Sequence, residues 1–312
     1  MKNRVVTVTL NPSIDKTIVI EKLLPYGLNR VVRSRTDPGG KGINVARVLK
    51  NFAVDVTVTG LIAGQQGKLL LEALQNAGIP ADFLEIEGET RTNLKIFDES
   101  VNKTTEVNET GFRVSPEDLV RFRKKFQNLI QKAEIVVLSG SLPPGIPQNF
   151  YSDCVAAAKT AGAKVLLDAD GGALEEGIRA IPYAVKPNLQ ELEALSGCKF
   201  SGKKDIAEAA RRLTGTGIEI VIVSMGADGA VVANREEAYA VDSWNIPVKS
   251  ATGAGDSMVA ALAGSILNNS SLYEIAKITT AAGTVTASKE GTLICSQEEV
   301  ARSLDYVTVR KI

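Results

Sequence analysis

Short apolar runs rich in β-branched residues alternate along the chain with windows in which apolar residues recur every three or four positions. The first pattern is typical of strands buried on both faces, and the second of amphipathic helices. Their alternation predicts parallel strands joined by crossover helices. The predicted strands are Val5–Leu10, Val54–Gly60, Ile135–Ser139, Lys164–Asp168, Ala184–Pro187, Ile220–Ser224 and Gly229–Ala233.

Helical windows fill the spaces around these strands, and each window places its apolar residues on one face. Strands and helices in this order favour an α/β protein. The predicted helices are Ile43–Asn51, Lys68–Asn76, Pro116–Ala133, Asn149–Ala161, Leu189–Leu195, Asp205–Leu213, Asp256–Leu267, Leu272–Ser288 and Gln297–Leu304.

Two stretches break this rhythm, because polar and apolar residues alternate there with no helical window between them. They predict antiparallel strands of a small second sheet, inserted at about residues 12–36 and 90–110. Beside a cleft such a sheet would act as a lid on a single domain spanning 1–312. Its predicted strands are Thr17–Lys22, Val31–Thr36, Asn93–Phe97 and Thr104–Asn108.

Composition excludes several classes of protein. Basic and acidic residues number 36 each, so no net charge attracts nucleic acid or a membrane surface. No segment approaches the length of a membrane span, and the three cysteines lack metal spacing, which suits a reducing cytoplasm. The absence of histidine excludes Ser-His-Asp hydrolases and His-ligated zinc enzymes, so Asp, Glu, Lys, Tyr or Cys must carry any proton transfer.

The strongest chemical signal is Thr252–Ser257, which precedes an apolar helical pattern. Gly253, Ala254 and Gly255 free the backbone to point amide groups at one anion, and the helix start adds its positive dipole. A carboxylate placed there would repel a phosphate, so its presence calls for a role in the reaction. We therefore predict that Asp256 takes a proton from a hydroxyl that attacks the phosphate.

Two segments near predicted strand ends are candidates for binding a hydroxylated substrate. Asn11–Asp15 follows the first strand, and Asp15 offers two acceptor oxygens to sugar hydroxyls, although a turn stabilised by its own Asn and Asp explains the same residues. Pro38–Asn44 contains three glycines that permit close backbone approach. Lys41 would neutralise phosphate there and Asn44 would bridge hydroxyls, but a flexible loop with a solvated lysine fits equally well.

Three further features lie near the same predicted cleft. Arg30 and Arg91 fall in the predicted lid and could form paired hydrogen bonds with a substrate phosphate, although surface arginines are usually solvated. Ser139–Gly145 ends a predicted strand, where open parallel sheets bind ligands.

The C-terminal half contains two segments with a structural and a functional interpretation. Lys186–Glu191 ends a strand and opens a helix, so Asn188 and Glu191 form either a reciprocal helix cap or a pair of oxygen ligands for hydrated magnesium. Ser224–Gly229 is predicted as a hairpin turn, to which a binding role would be added. No Walker A run is present, and Gly253 and Gly255 lack the third glycine of a dinucleotide fingerprint, which disfavours GTPase-like and NAD-dependent proteins.

Six segments together have the order and spacing of a known family: Asn11–Asp15, Gly39–Asn44, Ser139–Gly145, Asn188–Glu191, Ser224–Gly226 and Thr252–Ser257. The chain resembles the ribokinase-like carbohydrate kinases, in their phosphofructokinase branch, over nearly its whole length. The resemblance implies a doubly wound, mostly parallel sheet flanked by helices, with a β-sheet lid that often pairs in homodimers.

The resemblance also implies a role for individual residues. Asp256 would be the catalytic base, with Gly253, Ala254 and Gly255 forming the anion hole. Asn188 and Glu191 would organise Mg²⁺, mostly through water. The sugar phosphate would be bound by Asp15, Gly39, Gly40, Lys41, Asn44, Arg91, Arg30 and Ser139. ATP would be bound by Lys186, Asn188, Ser224, Gly226, Gly229, Gly253 and Gly255.

The sequences of residues 38–47 and 88–95 most resemble those of kinases of fructose 1-phosphate. Kinases of tagatose 6-phosphate are the next most similar. The implied reaction is transfer of the γ-phosphoryl group of ATP to the C6 hydroxyl of fructose 1-phosphate. Tagatose 6-phosphate and fructose 6-phosphate stay open as substrates, because a discrimination of roughly 1–3 kcal/mol can rest on one hydrogen bond. A sugar-phosphate sensor without turnover is the alternative from another class, and the intact acid at Asp256 argues against it.

Overall fold

The computed structural model describes residues 4–312, so the first three residues of the predicted domain lie outside the described part. The strands are β1 (Val5–Thr9), β2 (Ser13–Ile20), β3 (Arg33–Gly39), β4 (Val56–Ala63), β5 (Ala81–Ile86), β6 (Arg91–Asp98), β7 (Lys103–Asn108), β8 (Ile135–Ser139), β9 (Lys164–Asp168), β10 (Ala184–Val185), β11 (Ile220–Ser224), β12 (Ala230–Ala233), β13 (Ala238–Asp242) and β14 (Thr308–Lys311). The helices are α1 (Lys41–Asn51), α2 (Gly64–Asn76), α3 (Pro116–Ile130), α4 (Phe150–Thr160), α5 (Gly171–Arg179), α6 (Leu189–Ser196), α7 (Lys203–Thr214), α8 (Ala254–Leu267), α9 (Leu272–Ala287) and α10 (Gln297–Ser303).

Ten strands form the main sheet, in the spatial order β14-β13-β12-β11-β10-β9-β8-β1-β4-β5. From β11 to β5 the neighbouring strands are parallel, whereas β12, β13 and β14 extend the sheet in antiparallel fashion. The predicted α/β fold with a mostly parallel main sheet is therefore confirmed. The hairpin predicted at Ser224–Gly229 is also confirmed, since that segment links the antiparallel strands β11 and β12.

The central strands are buried on both faces, as their continuous apolar runs predict. Every residue of β1 and β8 is buried. Alternate residues point to opposite faces, so Val6 and Val8 belong to one hydrophobic cluster with α3 to α7, and Val5 and Val137 to another with α1, α2, α8, α9 and α10. Helices therefore cover both faces of the sheet, which is the doubly wound arrangement.

The order of the strands reverses at β1. On one side of β1 the sheet continues to β4 and β5, and on the other side to β8, β9, β10 and β11. In open parallel sheets, ligands bind beyond the carboxyl ends of the strands at such a reversal. The carboxyl ends of β1, β8, β9 and β10 are thus where a site is expected.

The small sheet has the order β3-β2-β6-β7. Two antiparallel hairpins, β2–β3 and β6–β7, join through a parallel pairing of β2 with β6, which the sequence did not predict. The predicted turn at Asn11–Asp15 is wrong at its end, because β2 begins at Ser13 and Asp15 pairs with Asp37 on one side and Asn93 on the other. The flexible loop considered for Pro38–Asn44 is also wrong, since Gly39 ends β3 and Lys41 begins α1.

Four elements were not predicted, and each lacks a local signal. The edge strand β14 is largely exposed and β5 mixes exposed and buried residues, so neither has a continuous apolar run. Helix α5 contains three glycines, and β13 is short and contains two alanines, which weakens the local signal of each element. Across residues 4–312, every helix is too short or too polar to cross a membrane.

Candidate active site

The predicted functional segments meet beyond the carboxyl ends of the central strands, next to the small sheet. Asn44 on α1 contacts Asp256 on α8, and Lys95 on β6 contacts Thr252 just before α8. Lys41, at the start of α1, contacts Asp168 at the end of β9. These contacts connect the sugar-side and nucleotide-side segments that the sequence predicted separately.

Helix α8 begins directly after Gly253, whose φ of 80° lies in the left-handed region that favours glycine. The first turn of a helix has amide groups without intrahelical partners, and here it consists of Ala254, Gly255 and Asp256. Of the predicted anion-hole donors, Ala254 donates its N–H to the carbonyl of Ala251 in a long hydrogen bond of 3.3 Å. The acid therefore lies in the first turn of the helix, and the anion hole stays a prediction.

Asp256 is buried, with 7% of its surface exposed. Asn44 donates from Nδ2 to Asp256 Oδ2 at 2.8 Å, and Arg47 donates to Asn44 Oδ1 at 3.2 Å, which orients the amide. Burial and the nearby carboxylate of Asp168 raise the pKa of Asp256 to about 6, against the opposing effect of Lys41, Asn44 and Lys186. The carboxyl group is therefore ionised at neutral pH and takes up a proton at mildly acidic pH.

Asp168, which was predicted only as the end of a strand, lies between two lysines. Its Oδ1 is 3.3 Å from the Nζ atoms of both Lys41 and Lys186. Burial raises its pKa, but Lys186 and Lys41 outweigh burial and keep the pKa below its usual value. The available signal was an acid that closes an apolar strand at its carboxyl end, where sites are built.

Both lysines lie close enough to Asp256 to act on its carboxylate electrostatically. Burial opposes the charge of Lys41, but nearby carboxylates, Asp168 foremost, raise its pKa above the ordinary value. A Cβ added at Gly255 would lie 3.3 Å from Lys186 Nζ, so this ammonium group lies against the first turn of α8. Two fixed positive charges therefore adjoin the predicted anion hole.

Asp15 has hydrogen-bond partners on both carboxylate oxygens. Oδ1 accepts from Ser13 Oγ at 2.7 Å and from Asn93 Nδ2 at 3.2 Å, and Oδ2 accepts from Lys95 Nζ at 3.0 Å. A Cβ at Gly39 would lie 2.3 Å from Asp15 Oδ1, so only glycine fits there. Sequence reasoning found Asp15 and Gly39 but missed Lys95 and Asn93, because their proximity depends on the register of β6 against β2.

Arg91 occupies the other side of this region. It donates to the carbonyl oxygens of Asn11 at 3.1 Å and Glu109 at 3.2 Å, and burial lowers its pKa, although a guanidinium stays protonated. Its Nε, like Ser139 Oγ, is buried with no hydrogen-bond partner among residues 4–312. Asn11 in turn donates to Ser141 Oγ at 3.3 Å. An unsatisfied guanidinium N–H is a donor that an oxyanion ligand can use.

The segment at the start of α6 forms the predicted reciprocal cap. Asn188 Oδ1 accepts from the Glu191 N–H at 2.8 Å, and Glu191 Oε2 accepts from the Asn188 N–H at 2.7 Å. Asn188 also forms a parallel bridge with Ser224, which brings the two nucleotide-side segments together. Across residues 4–312, no group of three or more acidic or cysteine side chains could enclose a metal ion.

Three predicted site residues require separate description. Gly226 begins a short 3₁₀ turn after β11, and a Cβ there would meet no atom within 4 Å. Packing explains the glycine at position 229, because a Cβ there would lie 2.1 Å from the Val241 carbonyl oxygen. Arg30 is exposed in the connection between β2 and β3, and it forms no ion pair in the part of the chain that the structure describes. The structure does not bring Arg30 together with the other predicted residues.

The fold and the site define an enzyme class that transfers phosphoryl groups to a hydroxylated substrate, and comparison with known proteins agrees. The model of the pfkB family carbohydrate kinases matches residues 8–299, and the chain therefore belongs to this family, as its motifs predicted. It is 37% identical over 286 residues to the 1-phosphofructokinase of Xanthomonas campestris pv. campestris, covering 90% of both chains. It is 36% identical over 313 residues to the 1-phosphofructokinase of Rhodobacter capsulatus, covering 100% of this chain and 99% of that protein.

A solved structure has the same fold over almost the whole length. The crystal structure of phosphofructokinase-2 from Escherichia coli in complex with potassium matches with a TM-score of 0.92 at 30% identity. The match covers 97% of this chain and 98% of that chain. The chain is thus a carbohydrate kinase in sequence family and in fold.

Proposed function

We propose that this kinase transfers the γ-phosphoryl group of ATP to the C6 hydroxyl of fructose 1-phosphate, giving fructose 1,6-bisphosphate and ADP. The names of the two curated relatives support this sugar phosphate. The observation that carries the chemistry is Asp256, a buried carboxylate in the first turn of α8 whose pKa is raised to about 6 by burial and by Asp168. A group that titrates just below neutral pH is suited to accept a proton during turnover.

In the proposed reaction, the C6 oxygen attacks the γ-phosphorus while Asp256 takes the hydroxyl proton. A P–O bond forms at the sugar, and the bond between the γ-phosphorus and the bridging oxygen breaks, which leaves its electron pair on ADP. The amide groups at Gly253, Ala254 and Gly255 stabilise the charge on the transferred group. Lys41 and Lys186, fixed by Asp168, add positive charge beside these amide groups and neutralise the phosphates.

The sugar is held from the small sheet and from α1. The remaining lone pairs of Asp15, with the amide of Asn44, bind ring hydroxyls, and Gly39 and Gly40 allow the sugar to approach the backbone. Arg91 and Ser139 bind the phosphate already on the sugar, supported by the unsatisfied Arg91 Nε and Ser139 Oγ. The small sheet then acts as a lid that excludes water from the reacting groups.

The nucleotide lies along Asn188, Ser224, Gly226 and Gly229, next to Lys186. The oxygen ligands at the start of α6 fit Mg²⁺. The helix cap uses Glu191 Oε2 and so fixes the carboxylate, while Oε1 takes no part in the cap. Asn188 and Glu191 would hold the ion mostly through water, as suits a cation that keeps its hydration shell. When bound, Mg²⁺ supplies positive charge to the β- and γ-phosphate oxygens.

We also infer that two copies pair through the small sheet in the cytoplasm. Apolar side chains are exposed in the β2–β3 connection, where Tyr26 is fully exposed and Leu28 is 72% exposed, and Val107 on β7 is 54% exposed. Such a patch is typical of an interface. The free cysteines, Cys154, Cys198 and Cys295, support a reducing compartment. Light scattering is expected to give twice the 33.1 kDa chain mass, and a monomer would contradict the pairing.

The substrate is tested by initial rates of ADP formation with fructose 1-phosphate, fructose 6-phosphate and tagatose 6-phosphate. We expect kcat/KM to be highest for fructose 1-phosphate by about tenfold or more, the difference that one hydrogen bond supplies. A preference for another ketose phosphate would replace the proposed substrate and leave the kinase family unchanged.

A further inference from the structure

Lys95 is a buried cation in a sheet whose other residues are mostly exposed or partly exposed. Only 6% of its surface is exposed, although its neighbours along β6, Leu94 and Ile96, are half-buried. A lysine this deeply buried requires partners for its charge. Lys95 has two, because Nζ lies 3.0 Å from Asp15 Oδ2 and 3.3 Å from Thr252 Oγ1.

The two partners belong to different parts of the site. Asp15 lies in β2 of the small sheet and is the acid proposed to bind the sugar, whereas Thr252 directly precedes Gly253, where α8 begins. The Thr252 N–H is also held, since it donates to Ser250 Oγ at 3.2 Å. The side chain and the backbone of Thr252 are therefore both fixed immediately before the amide groups proposed to bind the transferred phosphoryl group.

Lys95 is the ion-pair partner of the Asp15 carboxylate. Across residues 4–312, Lys95 is the cation that forms an ion pair with Asp15, because Arg91 and Arg47 influence it electrostatically from beyond 4 Å. Ser13 and Asn93 occupy the other oxygen. A hydroxyl that binds Asp15 must therefore share the carboxylate with Lys95, and any shift of Asp15 moves the ammonium group relative to Thr252.

We propose that Lys95 is a positioning residue that couples sugar binding at Asp15 to the geometry of the anion-hole turn through Thr252. This role deepens the proposed function and rests on it for the place of the sugar. A lysine that only neutralised a buried acid would affect stability and sugar affinity. A coupling lysine also affects kcat, because its second contact reaches the turn that stabilises the transition state.

The test compares Lys95→Met and Lys95→Arg with Lys16→Met as a matched control. Lys16 is an exposed lysine on the adjacent strand β2, so its replacement removes a charge from the same sheet without touching the site. We expect Lys95→Met to raise KM for the sugar phosphate and lower kcat, each by about tenfold or more, with KM for ATP changed less than about threefold. Lys95→Arg retains donors for both partners and is expected to recover part of kcat.

A double-mutant cycle with Thr252→Val separates coupling from two independent effects. Thr252→Val removes the acceptor hydroxyl at a half-buried position and is expected to lower kcat by about tenfold. In that background, Lys95→Met should lower kcat much less than it does in the wild type. Additive effects on kcat, or an unchanged kcat in Lys95→Met, would overturn the coupling.

Two choices in the experiment cover a misfolded variant and a different preferred sugar. If Lys95→Met does not fold, an unchanged kcat in Thr252→Val alone contradicts the proposal. All variants are assayed with the ketose phosphate that the wild type phosphorylates best. A wild type that prefers a sugar other than fructose 1-phosphate then contradicts the proposed substrate alone, and the coupling is still tested.

Discussion

The two ends of the cleft handle buried charge differently. At the sugar end, the carboxylate of Asp15 meets one ammonium group, Lys95, at 3.0 Å. At the reacting end, Asp168 meets two, Lys41 and Lys186, each at 3.3 Å. A balanced ion pair suits recognition of neutral hydroxyls, whereas two cations around one acid suit phosphate groups.

Asp256 completes the difference, because it adds a second acid to the reacting end. With Asp256 ionised, the four charged groups there sum to zero, and once it takes a proton they sum to one positive charge. In the proposed reaction this change occurs as negative charge develops on the phosphoryl group and ADP. The reacting end therefore changes its charge during turnover, while the sugar end keeps the same charge.

The largest expected effect comes from removing the acid at each end in turn. Asp256→Asn cannot accept the proton, and we expect kcat to fall by about 10³-fold or more with ATP affinity nearly unchanged. Asp15→Asn keeps an oxygen acceptor for Lys95, so it should mainly raise KM for the sugar phosphate, by about 10–100-fold. Steady-state kinetics of the two variants would measure kcat and KM, and ATP titration would measure the affinity for ATP. Substantial turnover in Asp256→Asn would remove the proposed difference between the ends.

The next effect tests the two cations around Asp168. Lys186→Met leaves Asp168 with Lys41 alone, so the reacting end no longer becomes positive on proton transfer. We expect kcat to fall by about 100-fold and KM for ATP to rise, with KM for the sugar phosphate nearly unchanged.

Lys132→Met, at an exposed position beyond α3, is the matched control and should behave as wild type. Initial rates with each substrate varied separately would show the split. A rise confined to KM for the sugar phosphate would place Lys186 at the wrong end of the cleft.

Local sequence patterns were enough to predict one acid at each end, but not the contacts that balance its charge. Thr252–Ser257 combines small residues, an acid and a helix start within six positions, so the acid and its helix terminus could be predicted from a single segment. Asp15 was also found, because it follows a strand. Its partner Lys95 lies 80 positions away, and the contact exists only because β2 and β6 pair in parallel with Asp15 opposite Asn93.

Asp168 shows the same limit in the main sheet. It was predicted as the end of a strand, and the order of the strands brings two lysines to it, Lys41 from the start of α1 and Lys186 from just beyond β10. The buried strands could be predicted because their apolar runs are continuous. Contacts that depend on strand order and register have no signal in the local sequence.

The titration of Asp256 gives a smaller effect that sharpens the same comparison. Its pKa is raised from 3.8 to about 6, chiefly by burial and then by Asp168, so the base is ionised at pH 7 and protonated below about pH 6. We expect kcat/KM for the sugar phosphate, which reports the ligand-free enzyme, to be constant above this value and to fall toward tenfold for each pH unit below it. A profile of kcat/KM measured between pH 5 and pH 8 would show this limb. A kcat/KM independent of pH down to 5 would contradict Asp256 as the base.

The same titration predicts the smallest effect, which is on stability. Ionised Asp256 disfavours the folded state at pH 7 by about 3 kcal/mol at most, since its pKa is about 6 when folded and 3.8 when unfolded. This destabilisation is complete above pH 6 and disappears below 3.8, where the carboxyl group is protonated in both states. Asp256→Asn should therefore raise Tm by a few degrees at pH 7 and by much less near pH 4. Since the sugar-end variant Asp15→Asn weakens an ion pair, it should instead lower Tm at pH 7, and calorimetry of both variants compares the two ends directly.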